Sequence, residues 1–277
     1  MNRWLLACVL LCGFAGSAVA ADMGVLGPYQ PPPIAPLYSW TGCYIGVNMG
    51  GGASPISNVD TLGTFAPSPG SMGDLTARGV LGGGQLGCDY QAGSFVFGLQ
   101  GLVDLSGMKG SDVLPTTILV NNSYVQTVAT FTGRVGYTVL PTLLLYGKFG
   151  GAFVHDIYHI SVPDGEDVPI FPGTMRVAPA TAISSTAGTA SLVEAGAIVA
   201  QGASSTTGWT AGFGGEWAFA HAPVSLSLEY DYLGFRSVQV PFTSAIVLGQ
   251  IFPINISQKI HMVLFGVNLR FGGGSGF

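Results

Sequence analysis

The sequence predicts an all-β fold: an eight-stranded antiparallel transmembrane β-barrel with short periplasmic turns and long extracellular loops. Three observations carry this. Only 8% of the 277 residues are charged and mean hydropathy is +0.50, whereas a soluble surface needs roughly 25–35% charged residues. No apolar run reaches the ~18 residues of a membrane-crossing helix. From Trp40 onward, apolar and polar residues alternate with period two, the pattern of strands with two unlike faces. A closed barrel accommodates all three, because it pairs every backbone polar group between strands and leaves no edge in lipid.

The N-terminal part reads as a targeting segment. Arg3 gives a basic start, residues 5–15 an apolar stretch, and Ala18-Val19-Ala20 a cleavage site, so residues 1–20 have the three parts of a secretory signal peptide. The apolar stretch is short for an anchor helix. Leu5-Leu6-Ala7-Cys8 leaves no room for a lipoprotein leader before it, and Cys12 follows Leu11 where a small residue is expected. With Arg3 removed, eight bases face fourteen acids, a net charge of −6, which is no footprint for nucleic acid. Residues 21–38 include Pro28, Pro31, Pro32, Pro33 and Pro36 and read as a periplasmic linker with no core of its own.

Eight alternating segments follow. In 40–50, Cys43, Ile45, Val47 and Met49 share one face, with Tyr44, Gly46 and Asn48 on the other. In 80–90, Leu86, Cys88 and Tyr90 oppose Gln85, Gly87 and Asp89. In 95–106, Phe95, Phe97, Leu99, Val103 and Leu105 oppose Gln100, Asp104 and Ser106. In 124–137, Phe131, Val135 and Tyr137 oppose Thr130, Thr132 and Arg134. In 143–154, Phe149 and Phe153 oppose Tyr146 and Lys148. In 208–219, Phe213, Trp217 and Phe219 oppose Thr210 and Glu216. In 224–232, Leu226, Leu228, Tyr230 and Tyr232 oppose Ser225, Ser227, Glu229 and Asp231. The last segment ends at Phe271, with Val263, Phe265, Val267 and Leu269 opposite Asn268 and Arg270; there Met262 and Leu264 break the pattern by falling on the polar face. The connections 91–94, 138–142 and 220–223 are tight, whereas 51–79, 107–122, 155–207 and 234–258 are long. That alternation of short and long is the habit of an outer-membrane barrel.

Charge parity decides which face meets lipid. Asp89, Asp104, Arg134, Lys148, Glu216, Glu229, Asp231 and Arg270 all lie opposite the apolar stripe. A base on the lipid face near midplane costs about 2–4 kcal/mol, so the charged face points inward. A soluble barrel of the lipocalin type would put its apolar face inside and leave its outside almost without charge. Outward aromatics gather at the strand ends: Tyr90, Phe95, Tyr137, Trp217, Phe219 and Phe271 toward the periplasm, Phe153, Trp209, Tyr230 and Tyr232 toward the outside. These form the two interfacial girdles of such barrels. The lumen is therefore expected to hold a polar network of Asp89, Gln100, Asp104, Arg134, Lys148, Glu216, Glu229, Asp231 and Arg270. Arg134 and Lys148, on strands joined by a tight turn, are expected to share acidic partners, since lone buried charges are costly.

Chemistry-bearing patterns are thin. Gly82-Gly83-Gly84-Gln85-Leu86-Gly87 contains G-x-G-x-x-G, but within a strand and without the strand–helix context of a nucleotide site. His155 and His159 have metal-like spacing without a third ligand nearby. Glu229 and Asp231 point the same way from one strand and read as lumen charges, not paired catalytic acids. No catalytic, cofactor or metal site is expected. Cys43 and Cys88 remain after signal removal. Both face outward near the periplasmic edge of neighbouring strands, which leaves open a disulfide in an oxidising compartment or two lipid-facing thiols.

Several stretches carry a family likeness. Ser39-Trp40-Thr41-Gly42-Cys43-Tyr44-Ile45-Gly46 resembles the S-W-T-G-F-Y-x-G opening of small outer-membrane β-barrel proteins of alphaproteobacteria, known as porin-family or outer membrane beta-barrel domain proteins. Leu81-Gly82-Gly83-Gly84-Gln85-Leu86-Gly87, Phe95-Val96-Phe97-Gly98, Gly133-Arg134-Val135-Gly136-Tyr137, Glu229-Tyr230 with Tyr232, and Phe265-Gly266-Val267-Asn268-Leu269-Arg270-Phe271 are similar to the same family. The likeness spans residues 39–271; residues 272–277 read as a Gly-rich tail. Cys43 stands where the family has an aromatic, and Leu264 where a base is frequent. The resemblance implies a C-terminal assembly signal at Gly266, Leu269 and Phe271, with Phe277 as the alternative terminal aromatic. It also implies a structural or surface role in the outer membrane of a Gram-negative cell, or else a narrow channel for small solutes. The partners it implies are outer-membrane lipid and lipopolysaccharide, the outer-membrane assembly machinery, and a surface ligand for loop 155–207.

Overall fold

A computed structural model describes residues 38–60, 70–114, 119–163, 168–170, 191–193, 196–244 and 251–272. The signal peptide, nearly all of the Pro-rich segment, about half of loop 155–207 and Phe277 lie outside the described residues.

The strands are β1 (Gly42–Asp60), β2 (Gly70–Ala92), β3 (Phe95–Val113), β4 (Val120–Leu140), β5 (Leu143–Ser161), β8 (Ile198–Ala218), β9 (Val224–Phe235), β10 (Val238–Ser244) and β11 (Ile251–Phe271), with a separate two-stranded pair of β6 (Val168–Ile170) and β7 (Ser191–Val193). All neighbours in the large sheet are antiparallel, and β1 pairs with β11 from Cys43↔Phe271 to Asp60↔Ile254, which closes the sheet on itself. β9 and β10 are one wall position interrupted at Arg236 and Ser237: β9 fills the gap between β8 and β11 below, β10 fills it above. The wall is thus eight strands thick in circumference, with the seventh in two pieces.

Closure fixes the stagger. From Cys43 the directly opposed residues run through Cys88, Leu99, Gly133, Phe149, Ala211, Tyr232 and His261 to Ala53, ten residues further along the starting strand. A staggered closed sheet must tilt its strands by about 35–45°. On β11, outward Val263, Phe265, Val267, Leu269 and Phe271 are all exposed; nine residues at that tilt rise roughly 23 Å, close to the ~25 Å apolar band of an outer-membrane barrel. The other strands continue the band with Ile45, Val47, Met49, Leu86, Phe97, Leu99, Phe131, Val135, Phe149 and Phe213, all exposed. Tyr90, Phe95, Tyr137, Trp217, Phe219 and Phe271 rim its lower end. At its upper end Trp209 stacks near Tyr232, and the Tyr230 hydroxyl lies 2.8 Å from His261 Nδ1.

The strands are longer than the alternation in the lipid band suggests. Where they are described, the long loops expected at 51–79, 107–122, 155–207 and 234–258 are largely continued strand. Beyond Val80 on β2 the outward residues become Arg78, Thr76 and Asp74, while Ala77, Leu75 and Met72 point inward. On β8 the outward residues become Thr207, Ser205, Ala203 and Gln201. The period of two persists, on β2 as far as Asp74 with a bulge shifting it before Met72, but its sense inverts, because the outside now faces water and the inside holds an apolar core. Leu81, Leu102, Met108, Val128, Val154, Phe242, Ile254, Ile260, Met262 and Leu264 belong to this core. Met262 and Leu264, which break the pattern in sequence, are the lowest β11 residues of it.

At the lower edge Cys43 and Cys88 are directly opposed, their Cα atoms 3.9 Å apart, and form a disulfide. A chain that starts after residue 20, and so lacks Cys8 and Cys12, should therefore take up no maleimide without reductant and two per chain by mass once reduced. Higher up, Asp156 on β5 is buried above the outer girdle, where Gln258 Nε2 donates to its Oδ1 at 3.3 Å and to Ser54 Oγ at 3.1 Å. Burial pushes its carboxyl from the ordinary 3.8 to about 7, with hydrogen bonds from Gln258 and Tyr158 offsetting only part. The folded value lies above the unfolded one, so a penalty absent below about pH 4 grows up to about pH 7. Asp156→Asn should flatten stability across that window and raise it at pH 8, as read from denaturation midpoints at pH 4 and pH 8.

Candidate functional site: the lumen of the barrel

The site begins with two residue rows on the inner wall. One runs Asp89, Gly98, Arg134, Lys148, Gly212 and Asp231 through directly opposed positions on β2, β3, β4, β5, β8 and β9. A glycine separates each acid of this row from the nearer base for a steric reason. A Cβ at Gly98 would stand 2.0 Å from Asp89 Oδ1, and one at Gly212 would stand 2.0 Å from Asp231 Oδ1 and 3.1 Å from Lys148 Cε. Each glycine opens the path by which an acid reaches across an intervening strand to its base. The next row sets Tyr146, Gly214 and Glu229 side by side, and the Tyr146 hydroxyl donates to Glu229 Oε1 at 2.5 Å.

Two ion clusters result. In the lower one, Arg134 donates to Asp89 through Nε at 2.7 Å and also through Nη2, and to Glu216 Oε2 through Nη1 at 3.1 Å. Arg270 bridges the same two acids, to Asp89 Oδ2 at 2.5 Å and Glu216 Oε1 at 2.8 Å. Two bases and two acids form a closed quartet, and Glu216 also accepts from Ser225 Oγ at 2.5 Å and Asn268 Nδ2 at 3.1 Å. Arg134 lies between the rings of Tyr44 and Tyr146, 4.9 and 4.8 Å from their centroids, a favourable placement for a desolvated cation. In the upper cluster, Lys148 is ion-paired to Glu229 and, at 2.8 Å, to Asp231. A hydrogen-bonded chain joins the two. Gln100 Nε2 donates to Glu229 at 3.1 Å and to Gln85 Oε1 at 3.4 Å, and Gln85 Nε2 donates to Asn268 Oδ1 at 2.6 Å.

All nine expected lumen residues point inward and are buried. Eight of them meet in this network; the pairing differs from expectation in two respects. Arg134 and Lys148 do not share acids, because Gly98 and Gly212 direct them to opposite sides, one to Asp89 and Glu216, the other to Glu229 and Asp231. Asp104 is ion-paired to no base among the described residues: its wall neighbours are Gly83 and Val128, and the polar side chain beside it is Asn48, across Gly83. It lies at the floor of the apolar core, one level above the bases.

Sequence reasoning missed the lid. Trp40 is fully buried and precedes β1, crossing the periplasmic mouth. Its indole Nε1 donates to the Pro141 carbonyl at 3.1 Å in the β4–β5 turn, its amide to Gln91 Oε1 at 2.8 Å, and its carbonyl accepts from Arg270 Nη2 at 2.9 Å. Gly42, at φ 141°, turns the chain from this lid into the wall, a conformation that glycine adopts freely. The signal was present: Trp40 has the inward parity of Tyr44. Gly266 faces inward close to Ser227 and Gln85, while Leu269 and Phe271 face outward. Gly83 sits between Asn48 and Asp104 in the wall, so the G-x-G-x-x-G stretch is strand. His155 Nδ1 lies 2.9 Å from Ser205 Oγ and His159 packs on Tyr124; among the described residues no group of three His, Cys, Asp or Glu side chains is placed to hold a metal ion.

A closed sheet with charges inside and an apolar band outside has one natural solvent. Over 149 residues the chain is 37% identical to a 31 kDa outer-membrane immunogenic protein of Brucella melitensis, and equally to that of Brucella suis; the match covers 50% of this chain and 61% of each relative. The chain is an outer-membrane β-barrel protein. No family model matches it. Among solved structures it is similar to OprG of Pseudomonas aeruginosa, at TM-score 0.42 and 12% identity over 82% of this chain and 96% of that one. It is also similar to Ail of Yersinia pestis, solved with the heparin analogue sucrose octasulfate, at TM-score 0.36 and 11% identity over 83% and 100%. Both likenesses are loose, and the fold of this outer-membrane barrel rests on its own strand pairing.

The quartet makes a quantitative prediction. Arg134→Ala leaves Asp89 and Glu216 in a dry interior with Arg270 alone, and breaking a buried pair from one side costs about 3–5 kcal/mol. The folded barrel should unfold at markedly lower temperature or denaturant concentration, whereas Arg78→Ala on the outer surface should leave the transition near that of the wild type.

Proposed function

We propose that this protein is a sealed surface scaffold: a non-conducting, non-enzymatic barrel that strengthens the envelope and holds loops outside the cell. The observation that carries this reading is the filling of the lumen over the described residues. Trp40 covers the periplasmic mouth, the two ion clusters fill the middle, and the apolar core fills the region above. Side chains lining a water-filled pore carry accessible surface; Asp104 and Glu216 carry none. An eight-stranded barrel is just wide enough for its own side chains, so the bulk of Tyr44, Arg134, Tyr146 and Lys148 suffices. The Brucella relatives are named as immunogenic, which supports exposure of loops here; the scaffold reading takes residues 155–207 as the segment that would meet a surface ligand. The same reading takes Gly266, Leu269 and Phe271 as the signal for the assembly machinery.

The competing reading is a narrow channel for small solutes. Purified barrel in planar bilayers should show no long-lived openings at moderate voltage. Stable ohmic steps from the monomer would reverse the proposal in favour of the channel.

A further inference from the structure

Just above the lipid band, the outer wall carries an arrangement that the scaffold role does not use. Arg78 on β2 and Lys109 on β3 are directly opposed, and both are exposed on the outer face. Like charges directly opposite on a sheet destabilise it, and among the described residues neither base has an acidic partner within ion-pair distance. The same row continues to Tyr124 on β4, whose ring centroid lies 5.8 Å from Lys109 Nζ, and the Tyr124 ring packs 5.5 Å from that of His159. Ser106, Lys109, Tyr124, Gln126, Ile157 and His159 line a cleft of about 300 Å³ beside the pair.

The height of the pair identifies what it faces. Val80, two residues below Arg78, is 75% exposed, and Leu105, four residues below Lys109, is 72% exposed; both belong to the lipid-facing band. Two unpaired cations therefore stand where acyl chains give way to headgroups, directly over an apolar strip that runs down through Val103 and Phe131. Basic side chains at such a boundary attract anionic headgroups, and an Arg presents a fork suited to phosphate oxygens. We propose that Arg78 and Lys109, with Tyr124 and His159 at their side, form a docking site for the phosphate of an outer-leaflet glycolipid, its acyl chains lying along the Val80–Leu105 strip. This site depends on the outer-membrane placement and not on the sealed lumen, so a conducting barrel would leave it standing.

The test uses the full barrel purified in zwitterionic detergent, with lipid A carrying both phosphates, the same lipid dephosphorylated, and inorganic phosphate as probes. Native mass spectrometry should retain the phosphorylated lipid at least about tenfold more tightly than the dephosphorylated one, the scale expected of two bases each worth about 1 kcal/mol near an anionic surface. The double variant Arg78→Gln/Lys109→Gln, its folding checked by heat-modifiable mobility, should lose that preference. Lys259→Gln, an exposed base above the band on β11, should keep it. Equal retention of the two lipids, a preference that survives the double variant or disappears equally in Lys259→Gln, or inorganic phosphate competing at the same concentration as the lipid would each overturn the assignment.

Discussion

The rest of the structure depends on the pairing of charges inside a wall with no water on either side. Outside the band is lipid, which tolerates no open sheet edge, so the sheet must close. Closing eight strands leaves an interior that side chains can fill, and the residues that fill it here include five acids and three bases. Desolvation is a large penalty that close, hydrogen-bonded pairing offsets for every one of them except Asp104, which has no basic partner among the described residues. The glycines at 98 and 212, the aromatic rings around Arg134 and the Gln100–Gln85–Asn268 chain are all consequences of that requirement.

The ionic layer is short. Above it the barrel changes character, with an apolar core inside and Arg, Lys, Thr, Ser and Asn side chains outside. The upper half is built like a water-soluble barrel standing on a membrane one, and the level of Asp104, Met262 and Leu264 is the seam between them. This explains why strands of 19 to 23 residues occur where the lipid band needs only about 9–11. The additional length carries strand pairing, and its own core, well beyond the outer girdle.

Much of this was legible in the sequence. Period-two parity places all nine lumen residues on the inner face and locates the three tight turns, because a strand's faces alternate without exception between bulges. It does not tell which acid meets which base, since that depends on a ten-residue stagger set only when the last strand closes on the first. Nor does it separate strand from loop above the lipid band: the run Ala203-Ser204-Ser205-Thr206-Thr207 is polar and small, like a loop, although every residue is in β8. The inverted sense of alternation at Met72, Leu75 and Ala77 was the available signal, and one face of lipid-band residues gave no reason to look for it. Trp40 is legible by parity, yet its place across the mouth depends on a turn 101 residues away.

The central claim is that the lumen charges act as a coupled, water-excluded unit. A double-mutant cycle on Lys148→Met and Glu229→Gln, followed by equilibrium unfolding of the barrel in lipid, tests it most directly. Each single change should cost several kcal/mol, because it strands a buried partner, and the double change should cost clearly less than the two together, with a coupling of about 1–3 kcal/mol. Small single effects that simply add would contradict the account, because they would mean that water reaches and solvates each charge on its own.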